Sequence, residues 1–180
     1  MNIYKLYCTY LYIEMLDKID KIFKEKPGQM EVIKLLIRMG ISVRNKELYL
    51  SNIKIPYSSI AKAANVDRRV VASTIREINR DDELRFFFQN LLPAGPFLRA
   101  VAKDMGYMCL TIVPYEDKPG ILAAITGIIA KYNVNVIQVI AEDPRLYPQQ
   151  KVYIIVERDI PGDAISEIMR LDFIKSLEME

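Results

Sequence analysis

The 180-residue chain is 51% hydrophobic and 27% charged with a formal net charge of +2, a composition that supports one large or two small packed domains and excludes a disordered chain. It has no histidine and two cysteines, Cys8 and Cys109, set far apart in different apolar segments. The usual zinc, haem and catalytic-triad sets are therefore unavailable, no cofactor or metal is expected, and buried reduced thiols are the expectation.

Charge is unevenly placed along the chain. Residues 1–92 carry 16 Lys and Arg against 11 Asp and Glu (+5), while residues 93–180 carry 9 against 12 (−3). A basic half beside an acidic half hints at a polyanionic partner for the first. The opening stretch, MNIYKLYCTYLYIEMLDKIDKIF, is interrupted by Lys5, Glu14 and Asp17. It lacks the basic start and cleavage site of a signal peptide, and no run approaches the roughly 20 apolar residues of a membrane span, so a cytoplasmic protein with no membrane partner is expected.

Tyr4 to Phe23 keeps a helical rhythm through Leu6, Tyr7, Tyr10, Leu11, Met15, Leu16, Ile19, Ile22 and Phe23, ended by Lys26-Pro27-Gly28. A second helix follows from Gln29 to Met39, stopped by Gly40. Ile41–Arg44 and Glu47–Leu50 flank Asn45-Lys46 as a hairpin, and Ile53–Ile55 adds a third extended piece before Pro56. Tyr57–Ala64 then reads as a short helix with Ile60, Ala61 and Ala64 inward, and Asn65-Val66 as a tight turn. Asp67 can cap a longer helix, RRVVASTIREINR, whose inward stripe is Val70, Val71, Thr74, Ile75 and Ile78.

This is a helix-turn-helix arrangement, with small residues where two helices cross and a basic free side on the second. Arg68, Arg69, Ser73, Arg76 and Arg80 can face outward, and Tyr57 and Ser58 begin the first helix, so these seven form the candidate DNA-binding set. An arginine fork can hydrogen-bond a guanine edge or a phosphate in two places at once. The competing reading is a plain helical hairpin with a solvated basic face.

Asp81–Leu92 continues as helix until Pro93-Ala94-Gly95-Pro96 breaks it, which sets the domain boundary. The organisation expected is a helical domain with a short hairpin over 1–92, a linker over 93–107 containing a connecting helix at Phe97–Asp104, and a second domain over 108–180.

In the second half Cys109, Thr111 and Val113 lie on one side of a strand and Met108, Leu110 and Ile112 on the other, up to Pro114. The chain passes through Asp117-Lys118-Pro119-Gly120 almost directly into a helix with Ile121, Leu122, Ile125, Ile128, Ile129 and Tyr132 on one stripe. Pro119 suits a first helical turn and Asp117 can cap it, leaving the N–H groups of Gly120, Ile121 and Leu122 directed at any nearby anion. Taken alone, the tetrapeptide reads first as an ordinary strand-to-helix turn, and it is the surrounding chain that favours the rim of an effector site. Val134–Ala141 and Lys151–Arg158 read as strands around a loop, Ile160-Pro161-Gly162 turns into a helix, and Phe173–Met179 ends as a strand.

The order β-α-β-β-α-β makes the fold α+β, with two helices on one face of a four-stranded antiparallel sheet. Both faces of the strands are apolar, so the second needs a cover, from self-association or from the N-terminal helices.

Tyr115–Leu122 (YEDKPGIL) and Ile125–Val136 (ITGIIAKYNVNV), in that element order, resemble an ACT domain, a small regulatory module that commonly senses amino acids. Ile55–Val71 (IPYSSIAKAANVDRRVV) is similar to helix-turn-helix segments of archaeal proteins described as predicted regulators of amino-acid metabolism. The resemblance implies a ferredoxin-like C-terminal fold and a homo-oligomer associating through the ACT sheet. An effector, often an amino acid, would lie against Asp117, Gly120, Ile121 and Leu122, with Asn133 and Asn135 offering side-chain hydrogen bonds. Some ACT domains only dimerise. The function implied is a ligand-responsive transcriptional regulator, and the alternative is a regulatory subunit that confers feedback control on an enzyme. No paired acid and base, activated nucleophile or Gly-rich phosphate loop is present, so no catalytic residue is assigned.

Overall fold

The structure, a computed structural model, describes residues 15–180 and divides the chain into two units, Met1–Gly95 and Pro96–Glu180. In the first, residues 15–23 are helical (α1); the rest of the helix expected from Tyr4, and Cys8, lie outside the described residues. Then come α2 (Pro27–Met39), β1 (Ile41–Arg44), β2 (Glu47–Leu50), β3 (Ile53–Ile55), α3 (Tyr57–Ala63), α4 (Arg68–Arg80) and α5 (Asp82–Gln89).

Pro27 occupies the first turn of α2, and Gly40 closes it in the left-handed region at φ 62°, where its N–H returns to the Ile37 and Leu36 carbonyls. The expected three strands form one antiparallel sheet in the order β1-β2-β3. Asn45 and Lys46 both take positive φ, as a two-residue hairpin turn that follows the strand twist requires. Phe23, Val32, Ile33, Leu36, Leu48, Ile75, Ile78, Leu84 and Phe88 build the core of this unit.

The helix expected to run on through Asp81 is broken there. Asp81 is extended, and its carboxylate accepts from the Glu83 and Leu84 N–H groups at 3.0 Å, starting α5 afresh. Lys18 of α1 reaches the same carboxylate at 2.7 Å, and its hydrogen bond holds the Asp81 carboxyl below the ordinary aspartate range. Asp81→Ala is expected to lower the stability of this unit by about 1 to 2 kcal/mol. Asp81→Asn should recover part of the loss, since an amide oxygen still caps. Because the folded value is depressed, the charge-dependent part of this stabilisation is present above the unfolded value near pH 4 and is lost as pH falls through the folded one. Denaturant titrations of the three proteins across that window provide the check.

In the second unit β4 (Met108–Pro114), α6 (Ile121–Lys131), β5 (Val136–Ala141), β6 (Val152–Val156), α7 (Gly162–Met169) and β7 (Ile174–Met179) give the expected β-α-β-β-α-β order. The sheet runs β5-β6-β4-β7 with every neighbouring pair antiparallel. Leu110, Ile112, Val152, Ile154 and Val156 face Ile121, Ile125, Ile129, Ala164 and Ile168 of the helices. Val134, expected in the second strand, instead closes α6 by donating to the Ile129 carbonyl.

The other sheet face is covered by the unit's own leading segment. Leu98, Ala102 and Tyr107 pack against Cys109 and Ile155, and the Phe97 ring meets Tyr153 edge-on at 4.8 Å. Arg99 lies over the Tyr153 ring and forks onto the Glu180 carboxylate, which drives its pKa up. The Gln138 side chain clips the segment at both ends of Phe97, accepting from the Leu98 N–H and donating to the Pro96 carbonyl. Two 3-10 turns, Arg99–Val101 and Lys103–Met105, replace the single helix expected at Phe97–Asp104. Cys109 is a buried free thiol, raised by burial.

Candidate nucleic-acid interface and ligand cleft

The crossing of α3 and α4 is made by Ile60 and Ala61 against the buried stripe Val71, Thr74, Ile75 and Ile78. Asn65 takes φ 52° in the turn, and the Val66 N–H bonds the Ala61 carbonyl. Asp67 caps α4 as expected, accepting from the Arg69 N–H at 2.7 Å, a bond that lowers its carboxyl pKa.

Burial of that stripe turns Arg68, Arg69, Arg76 and Arg80 to solvent. They are not equivalent. Arg69 Nε lies 3.1 Å from Asp67 and Arg80 Nη1 lies 3.0 Å from Glu77. Among the described residues Arg68 and Arg76 form no ion pair.

Ser58 is exposed beside Arg68. Tyr57 is half-buried, and its hydroxyl donates to the Lys46 carbonyl at the hairpin tip. Burial and the Glu47 carboxylate push the Tyr57 phenol up while Arg68 and Arg76 pull it down. Ser73 departs from expectation. Its hydroxyl accepts from Gln29 Nε2 of α2 at 2.7 Å and donates to the Val70 carbonyl, so it serves helix packing and not the free face. Beside Ser58 and Arg68 lies a cleft of about 280 Å³ that also takes in Lys46 and Lys54 of the hairpin, two cations outside the set expected from sequence.

In the second unit a cleft of about 390 Å³ is lined by Asp117, Lys118, Pro119, Gly120, Ile121 and Leu122, with Ala123, Ala141 and Val152 closing it. Four of the six expected effector residues are therefore brought together. The helix starts at Ile121, two residues after the start expected at Pro119. Gly120 is the N-cap at φ 97° with no side-chain cap, so Asp117 caps nothing and the unpaired first-turn N–H groups belong to Ile121, Leu122 and Ala123. A Cβ at Gly120 would meet nothing within 4 Å, so the glycine is there for its left-handed backbone and leaves the helix mouth open.

Lys118 is drawn aside, 3.8 Å from Asp172 and over the Phe173 ring. Asp117 has no ion-pair partner among the described residues and stands at the rim, shared with a second cleft of about 320 Å³ under Pro144 and Pro148. An anionic group at the helix mouth and a cationic one at Asp117 would both be met, which is the charge pattern of a zwitterion.

Asn133 and Asn135 are not part of this cleft. They follow the far end of α6, whose 11 residues span about 16 Å. Asn133 takes φ 53° to end the helix and its carbonyl accepts from Arg158, while Asn135 exchanges bonds with Glu157.

Residues 112–173 match the ACT domain family. They form an ACT domain, and the N-terminal unit is consistent with a helix-turn-helix domain. No curated protein matches the chain. Among solved structures, a prephenate dehydratase from Staphylococcus aureus is similar at 24% identity and a TM-score of 0.34, over 42% of this chain and 29% of that one. The regulatory subunit of aspartate kinase from Thermus thermophilus is similar at 20% and 0.36, over 43% and 52%. The chain thus spans about a third and about half of those two proteins. An AsnC family transcriptional regulator from Agrobacterium tumefaciens is similar at 11% and 0.28, over 85% and 86%. No helix among the described residues is long and apolar enough to cross a membrane.

Proposed function

We propose that the chain is a ligand-responsive transcriptional regulator of amino-acid metabolism, a homo-oligomer that binds DNA through α3 and α4 and an amino acid in the cleft at Asp117–Ala123. The observation that carries the reading is the pair Arg68 and Arg76, exposed and free of ion pairs among the described residues, in the same chain as an ACT domain. Eight residues apart, they lie about 80° apart around α4 and so address one ligand together. A guanidinium with no competing carboxylate keeps its fork for a guanine edge or a phosphate.

The effector changes DNA affinity only if it binds two arrangements of the protein unequally, and a coupling of about 1 to 3 kcal/mol is typical. In a dimer the natural variable is the spacing of the two recognition helices, since half-sites lie about one DNA turn apart.

The test begins with melting curves against the twenty amino acids. The recognised one, at a hundred times its dissociation constant, adds about 2.7 kcal/mol of stability, and Asp117→Asn should abolish most of that shift. The same amino acid should then change duplex binding in an anisotropy titration. A protein that binds duplex DNA identically with and without every amino acid would leave an ACT domain that only associates.

A further inference from the structure

At the tip of the β1–β2 hairpin the Tyr57 hydroxyl draws the Lys46 carbonyl toward α3, which places the hairpin beside the basic face of α4. The cleft between them presents Lys46, Lys54 and Arg68 with the Ser58 hydroxyl, against one carboxylate, Glu47. That carboxylate is already occupied. Glu47 accepts from Lys54 and from the Tyr49 hydroxyl at 2.7 Å, bonds that hold its carboxyl below the usual range. Lys46 and Arg68 have no ion pair among the described residues. Three cations and a hydroxyl donor around one engaged anion suit the oxygens of a phosphate group.

We infer that this cleft seats a backbone phosphate of duplex DNA, with Lys46 as its principal cation, Ser58 as a hydroxyl donor and Glu47 as a brake that withholds Lys54. The inference rests on the DNA-binding reading of α4 and extends it to a second element, the hairpin. Arg68 belongs both to the cleft and to the exposed face that carries Arg76, and Tyr57 feels both arginines. A single small phosphate ester would fill the cleft and stop there. A duplex backbone offers successive phosphates, so one can sit in the cleft while the next groove edge meets α4. Phosphate contacts of this kind fix register and orientation and carry no sequence information themselves.

The test is the salt dependence of binding to a short random-sequence duplex, measured by anisotropy with the full chain. Each phosphate contact removed lowers the slope of log K against log salt by about 0.9. Lys46→Gln should lose about that much while keeping the carbonyl that Tyr57 uses. Glu47→Gln, which releases Lys54, should bind more tightly and with a steeper slope. Melting curves of both variants should match the parent. If both keep the parental slope while Arg76→Ala weakens binding, the hairpin is not a contact although α4 is. If the parent shows no salt-dependent binding at all, the reading of α4 falls and this inference with it. A Lys46→Gln protein that loses only a stabilisation by inorganic phosphate, with its duplex slope unchanged, would make the cleft a small-anion site and overturn the proposal.

Discussion

Gly40→Ala is expected to destabilise the N-terminal unit by about 2 to 5 kcal/mol, a large share of the 5 to 15 kcal/mol that holds a typical domain together. Two costs add. The residue closes α2 at φ 62°, ψ 34°, a left-handed conformation that costs an L side chain about 1 to 2 kcal/mol. A Cβ built there would also stand 2.5 Å from the Leu92 carbonyl carbon and oxygen and the Pro93 nitrogen. Those are backbone atoms of the segment that leaves α5, so no side-chain rotation relieves the contact, and forced overpacking costs about 1 to 3 kcal/mol more. Gly106 is the control, because its φ of 75° carries the conformational cost while an added Cβ meets nothing within 4 Å. Gly106→Ala should therefore lose only about 1 to 2 kcal/mol from the transition of its own unit. Urea titration of both variants decides the matter, and equal losses would mean that the close approach of Leu92 to Gly40 is wrong.

What the sequence could say followed from local chemistry. The strands on either side of Asn45-Lys46, the Asp67 cap and the buried side of α4 are each set by neighbours within one or two turns, and each is found where periodicity places it. Ser73 was not legible in the same way. Its position on the helix leaves it at the flank of the free face, and only the arrival of Gln29, 44 residues earlier, turns its hydroxyl into a packing contact. The apolar outer face of the ACT sheet announced that it needed a cover, but not which one; that depends on Phe97, Leu98 and Ala102 folding back across β4 and β6.

Asn133 did carry a usable signal. An Asn just after a helical stripe commonly takes the left-handed position that ends the helix, and Asn133 takes it here. The cleft at Asp117–Ala123 was the most legible part of the second unit, because strand, Pro-Gly and helix follow one another without a connector. Lys46 and Lys54 were hidden because the hairpin meets α3 through a hydroxyl–carbonyl bond that no spacing reveals.

Removing both Arg68 and Arg76 is expected to weaken duplex binding by about 2 to 6 kcal/mol, since each good arginine contact to a base edge or phosphate is worth about 1 to 3. The comparison that gives this meaning is the double replacement of Arg69 and Arg80. Those two also face solvent, but each must first leave Asp67 or Glu77. Exposed pairs are worth at most about 1 kcal/mol, so the pairing reduces their contribution without cancelling it, and a smaller loss is expected.

Neither double variant touches the buried stripe of α4, so melting temperatures should stay near the parent. An amino acid that stabilises the parent should stabilise both variants by the same amount, because the cleft at Asp117–Ala123 lies in a unit with its own core. Binding would then be lost with folding and effector recognition intact. If instead the Arg68 and Arg76 protein binds duplex DNA as the parent does, the basic face of α4 is a solvated surface. The N-terminal unit would then have to act on a partner other than DNA, as it would in a regulatory subunit that controls an enzyme.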